Sequence, residues 1–205
     1  MTANYGAGVA VLLGLAVAVT GSVPSVAQGI AYTMGEIGRR ASYGNDGDWL
    51  TAASRDGSLL VSSQSANPGW TAEVAPAPVP PYTITVQVHH EFPPVKGRAV
   101  GAGLVFGLQR ASGSQGPRFC AALLSGDELF VYSYDDGGFA QHLDIDNPRS
   151  RAQFDTLRVA VRNDGLTLTL NTNTFNIKLD CSHAGDLGVM TSGRGSATFR
   201  NLVVQ

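Results

Sequence analysis

The feature that most constrains the fold is a strict alternation of apolar and polar residues in segment Tyr82–Val88. Side chains on a β-strand point to opposite faces in turn, so this period of two predicts a strand with one buried face. Further short β-type segments, of which 100–108 is more continuously apolar, occupy residues 58–63, 100–108, 119–124, 129–134, 157–162, 166–170, 175–179, 187–190 and 197–204. No helical period of 3.6 residues follows Ser42, so the sequence predicts about ten strands and an all-β protein.

Turn signals between these segments predict antiparallel hairpins. Residues 157–162 and 166–170 flank Asn163-Asp164-Gly165, in which the Asp-Gly pair suits a tight turn. This hairpin would pair Leu157, Val159 and Val161 with Leu166, Leu168 and Leu170. Segments 119–124 and 129–134 predict a second hairpin, whereas the proline-rich stretch from Asn67 to Pro81 predicts an extended loop.

Packing requirements favour two sheets over one. An open sheet of ten antiparallel strands would leave one apolar face in water, so the strands predict a two-sheet jelly-roll sandwich. A closed barrel is the alternative fold. Charged residues make up 15 % of the chain, and its 25 glycines supply many turn formers, which suits either β architecture.

The N-terminal segment prefers lipid to water. Residues 1–35 contain no Asp, Glu, Lys or Arg and predict either a retained transmembrane helix or a signal peptide cleaved after Ala27. The missing basic n-region favours retention. Small residues recur every four positions and would form a helix-packing groove; they are Gly6, Ala10, Gly14 and Ala18. The predicted organisation is therefore a hydrophobic segment at 1–35, a linker at 36–47 and a sandwich domain at 48–205.

The net charge of the chain limits its possible partners, and its cysteines indicate the compartment in which the protein is found. A net charge of −2 gives no attraction for a polyanion, so nucleic acid is not a predicted partner. Cys120 and Cys181 either form a disulfide or are buried thiols. A disulfide would place the sandwich on the exported side of a membrane, whereas Arg39 and Arg40 beyond the apolar segment argue for a cytoplasmic domain. From the cysteines, we predict that the sandwich lies on the exported side of the membrane. Its predicted partners are integral membrane proteins.

Several motifs together resemble a known superfamily. They are Gly47–Trp49, Ala102–Phe106, Phe154–Val161 before an Asp-Gly turn, and Gly185–Thr191 before Ala197–Leu202. In this order they resemble the concanavalin A-like lectin/glucanase superfamily, in particular its 3-keto-disaccharide hydrolase-like and laminin-G-like modules, over residues 48–204. The resemblance implies a curved jelly roll whose concave face or rim loops bind sugars, calcium or proteins. Its glucanase branch carries the pattern E-x-D-x-x-E on one strand, which no segment here matches.

Candidate ligand-binding residues fall into an aromatic and an acidic group. Aromatic rings offer apolar platforms for sugars, and the candidates are Trp49, Trp70, Tyr132 and Tyr134, with core packing as the competing interpretation. The acidic candidates for a calcium site are Asp135, Asp136, Asp144 and Asp146. Asp144 and Asp146 also have the spacing of paired glycosidase carboxylates. A turn or loop role is the simpler interpretation, so neither a metal nor a cofactor is predicted.

Three functions follow from these observations. The leading hypothesis is a non-catalytic, membrane-anchored accessory subunit that docks on partner proteins of a membrane complex, photosynthetic or respiratory. The second hypothesis is an exported carbohydrate-binding module, and the third is a glycoside or keto-disaccharide hydrolase.

Overall fold

The structure is a computed structural model that describes residues 30–34, 41–43, 49–63, 70–93, 95, 100–112, 114–135, 138–146, 153–181 and 184–205. The predicted N-terminal helix lies outside these residues. Among the residues described, no helix has the length and apolar character required to cross a bilayer.

The described residues form fifteen strands. In chain order they are β1 (Ile30–Tyr32), β2 (Ala41–Tyr43), β3 (Trp49–Ala53), β4 (Leu59–Ser63), β5 (Trp70–Pro76), β6 (Tyr82–Glu91), β7 (Gly101–Gln109), β8 (Arg118–Ser125), β9 (Glu128–Asp135), β10 (Gly138–Asp146), β11 (Asp155–Arg162), β12 (Gly165–Leu170), β13 (Asn173–Ile177), β14 (Asp186–Ser192) and β15 (Gly195–Val204).

These strands form two antiparallel sheets. The eight-stranded sheet has the order β13-β12-β11-β6-β15-β4-β3, with β1 also paired to β15. The seven-stranded sheet has the order β10-β9-β8-β7-β14-β5-β2. Non-sequential neighbours such as β6 and β15 show that the chain crosses repeatedly between the sheets, which is the connectivity of a sandwich. The predicted all-β, two-sheet architecture is confirmed.

The core lies between the two sheets and follows the alternation in the sequence. In β6 the side chains of Tyr82, Ile84, Val86 and Val88 are buried, while the residues between them are partly exposed. Large buried side chains from the facing sheet, such as Phe106, complete the same cluster. Burial of one face of each sheet is the main stabilising contribution to a fold of this kind.

The predicted β11–β12 hairpin is confirmed, and the structure gives its register. Leu157 pairs with Leu170, Val159 with Leu168 and Val161 with Leu166. Gly165 begins β12 with a φ of +146°, and a Cβ there would lie 2.5 Å from the Ile177 carbonyl oxygen. Glycine is therefore required at this position on two grounds, backbone conformation and space.

The prediction of a loop from Asn67 to Pro81 is wrong for its central part. Residues 70–76 form β5, which pairs with β14 along one edge and with β2 along the other. This segment can form a strand because its proline, Pro76, which has no N–H to donate, is the last residue of the strand. The connecting loop is limited to the following residues, where the Pro80–Pro81 peptide bond is cis.

Segment 138–146, which is not among the ten predicted strands, forms the nine-residue edge strand β10. Its pairing with β9 shifts register between Gln141 and Leu143, so His142 is an extra residue in a β-bulge. A bulge interrupts the period of two, which removes the signal on which strand prediction depends.

The sheets also begin before the predicted domain start at residue 48. Ile30, Ala31 and Tyr32 pair with Val204, Val203 and Leu202 of β15. Strand β2, within the predicted linker, pairs with β5. Three-residue strands carry too few alternating positions to be recognised from sequence.

Candidate functional site

The candidate site lies on the outer face of the seven-stranded sheet, opposite the core. A second apolar cluster covers this face and is separate from the sandwich interior; its members are Val105, Leu108, Ala121, Leu123, Tyr132 and Met190, with Phe119 packed against them. An outward face of a two-sheet sandwich normally carries polar residues. A buried apolar cluster at this place marks the face as different from an ordinary solvated surface.

Tyr132 forms the floor of this face. Its hydroxyl donates to Met190 Sδ at 3.5 Å, although strands β9 and β14 are three strand spacings, roughly 14 Å, apart. The two side chains must therefore lean towards each other across β8 and β7, and Val105 and Ala121 of the same cluster are fully buried. Burial raises the pKa of Tyr132 above its ordinary value, so the phenol is neutral.

Three aromatic residues stand side by side in one register row beside this floor. Phe139 of β10 is paired with Tyr134 of β9, which is paired with Phe119 of β8. The rings of Phe119 and Tyr134 are stacked, with centroids 5.2 Å apart and planes at 12°. Phe139 is tilted by 42° against Tyr134, at 6.3 Å. We call these three residues the aromatic row.

Phe139 is the accessible member of the aromatic row. It is 55 % exposed, an unusual value for a large apolar side chain. Its ring contacts Tyr134 and also Tyr132, at 5.8 Å between centroids, so it is held from one side while the other side meets solvent. The row spans two strand spacings, roughly 10 Å, a length comparable with that of a disaccharide.

Polar groups line the row along β10 because of the bulge at His142. Phe139 and Gln141 face outward before the bulge, and Asp144 and Asp146 face outward after it, since the extra residue reverses the alternation. Gln141 Nε2 donates to Asp144 Oδ2 at 2.9 Å, and both side chains are exposed. Among the described residues no other hydrogen bond to these two side chains is found, so their remaining oxygens can accept hydrogen bonds from hydroxyl groups of a ligand.

The predicted stacking residues do not form a single platform. Tyr134 belongs to the aromatic row, but Tyr132 is 3 % exposed and serves as floor, so it offers no free ring face. Trp49 lies in β3 of the other sheet and packs against the core. Trp70 is the first residue of β5, and its side chain is not among those that the structure describes. Sequence reasoning missed Phe119 and Phe139, which only the register of three neighbouring strands brings together.

The predicted acidic residues are similarly dispersed. Asp135 pairs with Arg118, with 3.1 Å between Oδ1 and Nε. Asp144 and Asp146 lie on the edge strand β10, whereas the sequence predicts a turn or loop role for them. Asp136 lies outside the described residues, among which no three His, Cys, Asp or Glu side chains are grouped as metal ligands.

Cys120 and Cys181 form a disulfide with a Cα–Cα distance of 6.1 Å and a sequence separation of 61. Cys120 belongs to β8 and Cys181 follows β13, so the bond connects one sheet to the chain leaving the other. Both residues are buried, at 1 % and 0 % exposure. The small-residue positions Gly6, Ala10, Gly14 and Ala18 lie outside the described part of the chain.

Comparisons with known proteins show the fold. No family model and no curated protein matches this chain. It is similar to the carbohydrate-binding module CBM66 from Bacillus subtilis, with a TM-score of 0.55 and 14 % identity, covering 77 % of this chain and 95 % of that one. A β-1,3-1,4-glucanase (lichenase) from a mouse hindgut metagenome matches with a TM-score of 0.57 and 9 % identity, covering 86 % and 97 %.

A third similar structure is a Bacillus subtilis protein of unknown function with a galectin-like fold, with a TM-score of 0.55 and 12 % identity, covering 77 % of this chain and 87 % of that one. All three structures are jelly-roll sandwiches and each covers most of the present chain. Identities this low establish architecture and not activity. The chain has the concanavalin A-like jelly-roll sandwich fold, as its motifs predicted.

Proposed function

We propose that this protein is a non-catalytic carbohydrate-binding module that binds its ligand against the aromatic row. The observation that carries the proposal is the exposed ring of Phe139, fixed by two tyrosines and bordered by the hydrogen-bonded pair Gln141 and Asp144. Sugar rings have apolar C–H faces and a rim of hydroxyl groups, so a rigid aromatic surface beside amide and carboxylate oxygens matches both. The carbohydrate-binding module among the similar structures is consistent with this proposal.

The absence of central acids supports binding without catalysis. Strands β7 and β8, at the middle of the seven-stranded sheet, contain no Asp or Glu. Glycoside hydrolysis needs two carboxylates that flank the scissile bond. The outward acids of β10 stand at the sheet edge, and Asp144 is already hydrogen-bonded to Gln141. These positions suit the rim of a binding face better than the centre of a catalytic cleft.

The disulfide supports an exported location for this module. Buried disulfides form and persist in oxidising compartments and are rare in the cytosol. The alternative role, docking on membrane proteins, depends on the hydrophobic segment predicted at residues 1–35, most of which lies outside the described residues, and it stays a prediction.

The proposal is tested by binding to a printed array of neutral and acidic oligosaccharides, followed by calorimetry with the best ligand. Phe139→Ala removes the exposed ring, and we expect an affinity loss of about tenfold. Leu50→Ala is the matched control, because Leu50 is 74 % exposed but lies on the other sheet. Unchanged affinity in Phe139→Ala, or no binding to any glycan, would refute the proposal.

A further inference from the structure

A second surface with ligand-binding features lies on the outer face of the eight-stranded sheet. In β11 the side chains of Arg158, Ala160 and Arg162 point outward, while Leu157, Val159 and Val161 are buried. Both arginines are exposed, and they stand four residues apart on one strand, roughly 13 Å between Cα atoms. Two long cationic side chains on one face of a strand can converge on an anion between them.

The space between the two arginines is a shallow depression of about 330 Å³. Ala160 and its register partner Thr83 form part of its lining, and their small side chains leave this space open. Gln205 lines another side and is fixed by two backbone hydrogen bonds to Thr83, at 2.8 and 2.9 Å. No Asp or Glu side chain is among the lining residues.

The side-chain contacts of Arg158 and Arg162 differ from those of Arg118 and Arg200. Arg118 is paired with Asp135, and Arg200 lies 3.7 Å above the Phe154 ring and donates from Nε to Gln87. For Arg158 and Arg162, by contrast, the described residues provide neither an ion pair nor a hydrogen bond to the side chain. Two guanidinium groups beside an open depression thus retain their full donor capacity.

We infer that this depression is a second binding site, which takes the carboxylate groups of an acidic sugar such as a uronate. The planar guanidinium fork matches a carboxylate in a bidentate arrangement, and Thr83 and Gln205 provide polar groups for sugar hydroxyls. A net charge of −2 disfavours a polyphosphate, whose binding depends on neutralising many charges. The choice of a sugar as carrier of the carboxylate rests on the proposed function; the anion site itself does not.

The test uses the whole protein and two probes, a tetra-galacturonate and its methyl ester. The ester retains the sugar units and removes the charge. We expect the free acid to bind about tenfold more tightly than the ester at low salt, and this preference to disappear in the double variant Arg158→Gln/Arg162→Gln. Arg118→Gln is the matched control, because it removes one positive charge from an arginine already paired with an acid.

The outcomes separate this inference from the proposed function. Equal affinity for acid and ester in the wild type, or an acid preference that persists in the double variant, would overturn the second site. Binding of inorganic phosphate with the same affinity as the free acid would also overturn it. Loss of ester binding in Phe139→Ala, with the acid preference of the arginines intact, would support both sites as separate surfaces.

Discussion

The sequence correctly predicts that the side chain of Tyr82 is buried, but the burial of its hydroxyl group costs free energy of folding. Tyr82 opens the alternating strand from which the fold was inferred, and its ring is buried at 4 % exposure as that pattern predicts. Its hydroxyl has no hydrogen-bond partner among the described residues. Burial also raises the pKa of Tyr82 to about 12. Alternation in a sequence specifies which face a side chain occupies but not whether its polar atom finds a partner.

We expect Tyr82→Phe to stabilise the protein by about 1 kcal/mol at pH 7, since it removes a buried and unsatisfied hydroxyl without leaving a cavity. Urea unfolding measures this change. The raised pKa means that the wild-type protein loses stability as the pH rises through 10 to about 12, and the variant should lose less over that interval. A less stable variant at pH 7 would show that the hydroxyl has a partner in solution.

At the scale of elements, regular strands were predictable from the sequence and interrupted ones were not. The β11–β12 hairpin and the contact between its two apolar faces were predictable because both strands alternate strictly on either side of a short Asn-Asp-Gly segment. Strand β10 was missed because the bulge at His142 breaks its alternation. The same bulge places Asp144 on the outer face that carries Gln141 and Phe139, and Gln141 donates a hydrogen bond to Asp144. The bulge that makes β10 difficult to predict from the sequence therefore also determines which of its side chains belong to the candidate site.

The disulfide should contribute substantially to the stability of the sandwich. It closes a loop with a sequence separation of 61, for which the chain-entropy argument gives about 4 kcal/mol. We expect Cys120→Ala/Cys181→Ala to lower the free energy of unfolding by about this amount, measured by urea denaturation without reductant. Mass spectrometry with and without alkylation reports the bond directly, and two free thiols in the purified protein would contradict both the bond and the exported location.

At the scale of the whole molecule, the fold followed from the sequence more completely than the site did. Alternation and turn signals suffice for a two-sheet sandwich, because burying one face of every strand leaves few other arrangements. Phe119, Tyr134 and Phe139 lie on three strands, and their assembly into one row depends on strand pairing and on the bulge. No local sequence pattern encodes such an arrangement, so the sequence does not distinguish Phe119 and Phe139 from other aromatic residues such as Trp49 and Tyr132.

The two outer faces of the sandwich also differ in chemical character. The seven-stranded sheet presents aromatic rings with outward acids on β10, whereas the eight-stranded sheet presents the paired arginines beside threonine and glutamine. A module with an aromatic surface bordered by acids on one side and a cationic surface on the other can contact two segments of a polysaccharide. The near-zero net charge is thus compatible with surfaces of opposite sign.

Heteronuclear NMR titration of the protein with its best neutral oligosaccharide tests the central claim most directly. Binding at the aromatic row predicts that the largest amide shift changes fall on β8, β9 and β10, around Phe119, Tyr134 and Phe139, and that they are lost in Phe139→Ala. Shift changes confined to the eight-stranded sheet or to loops away from β10 would contradict the claim.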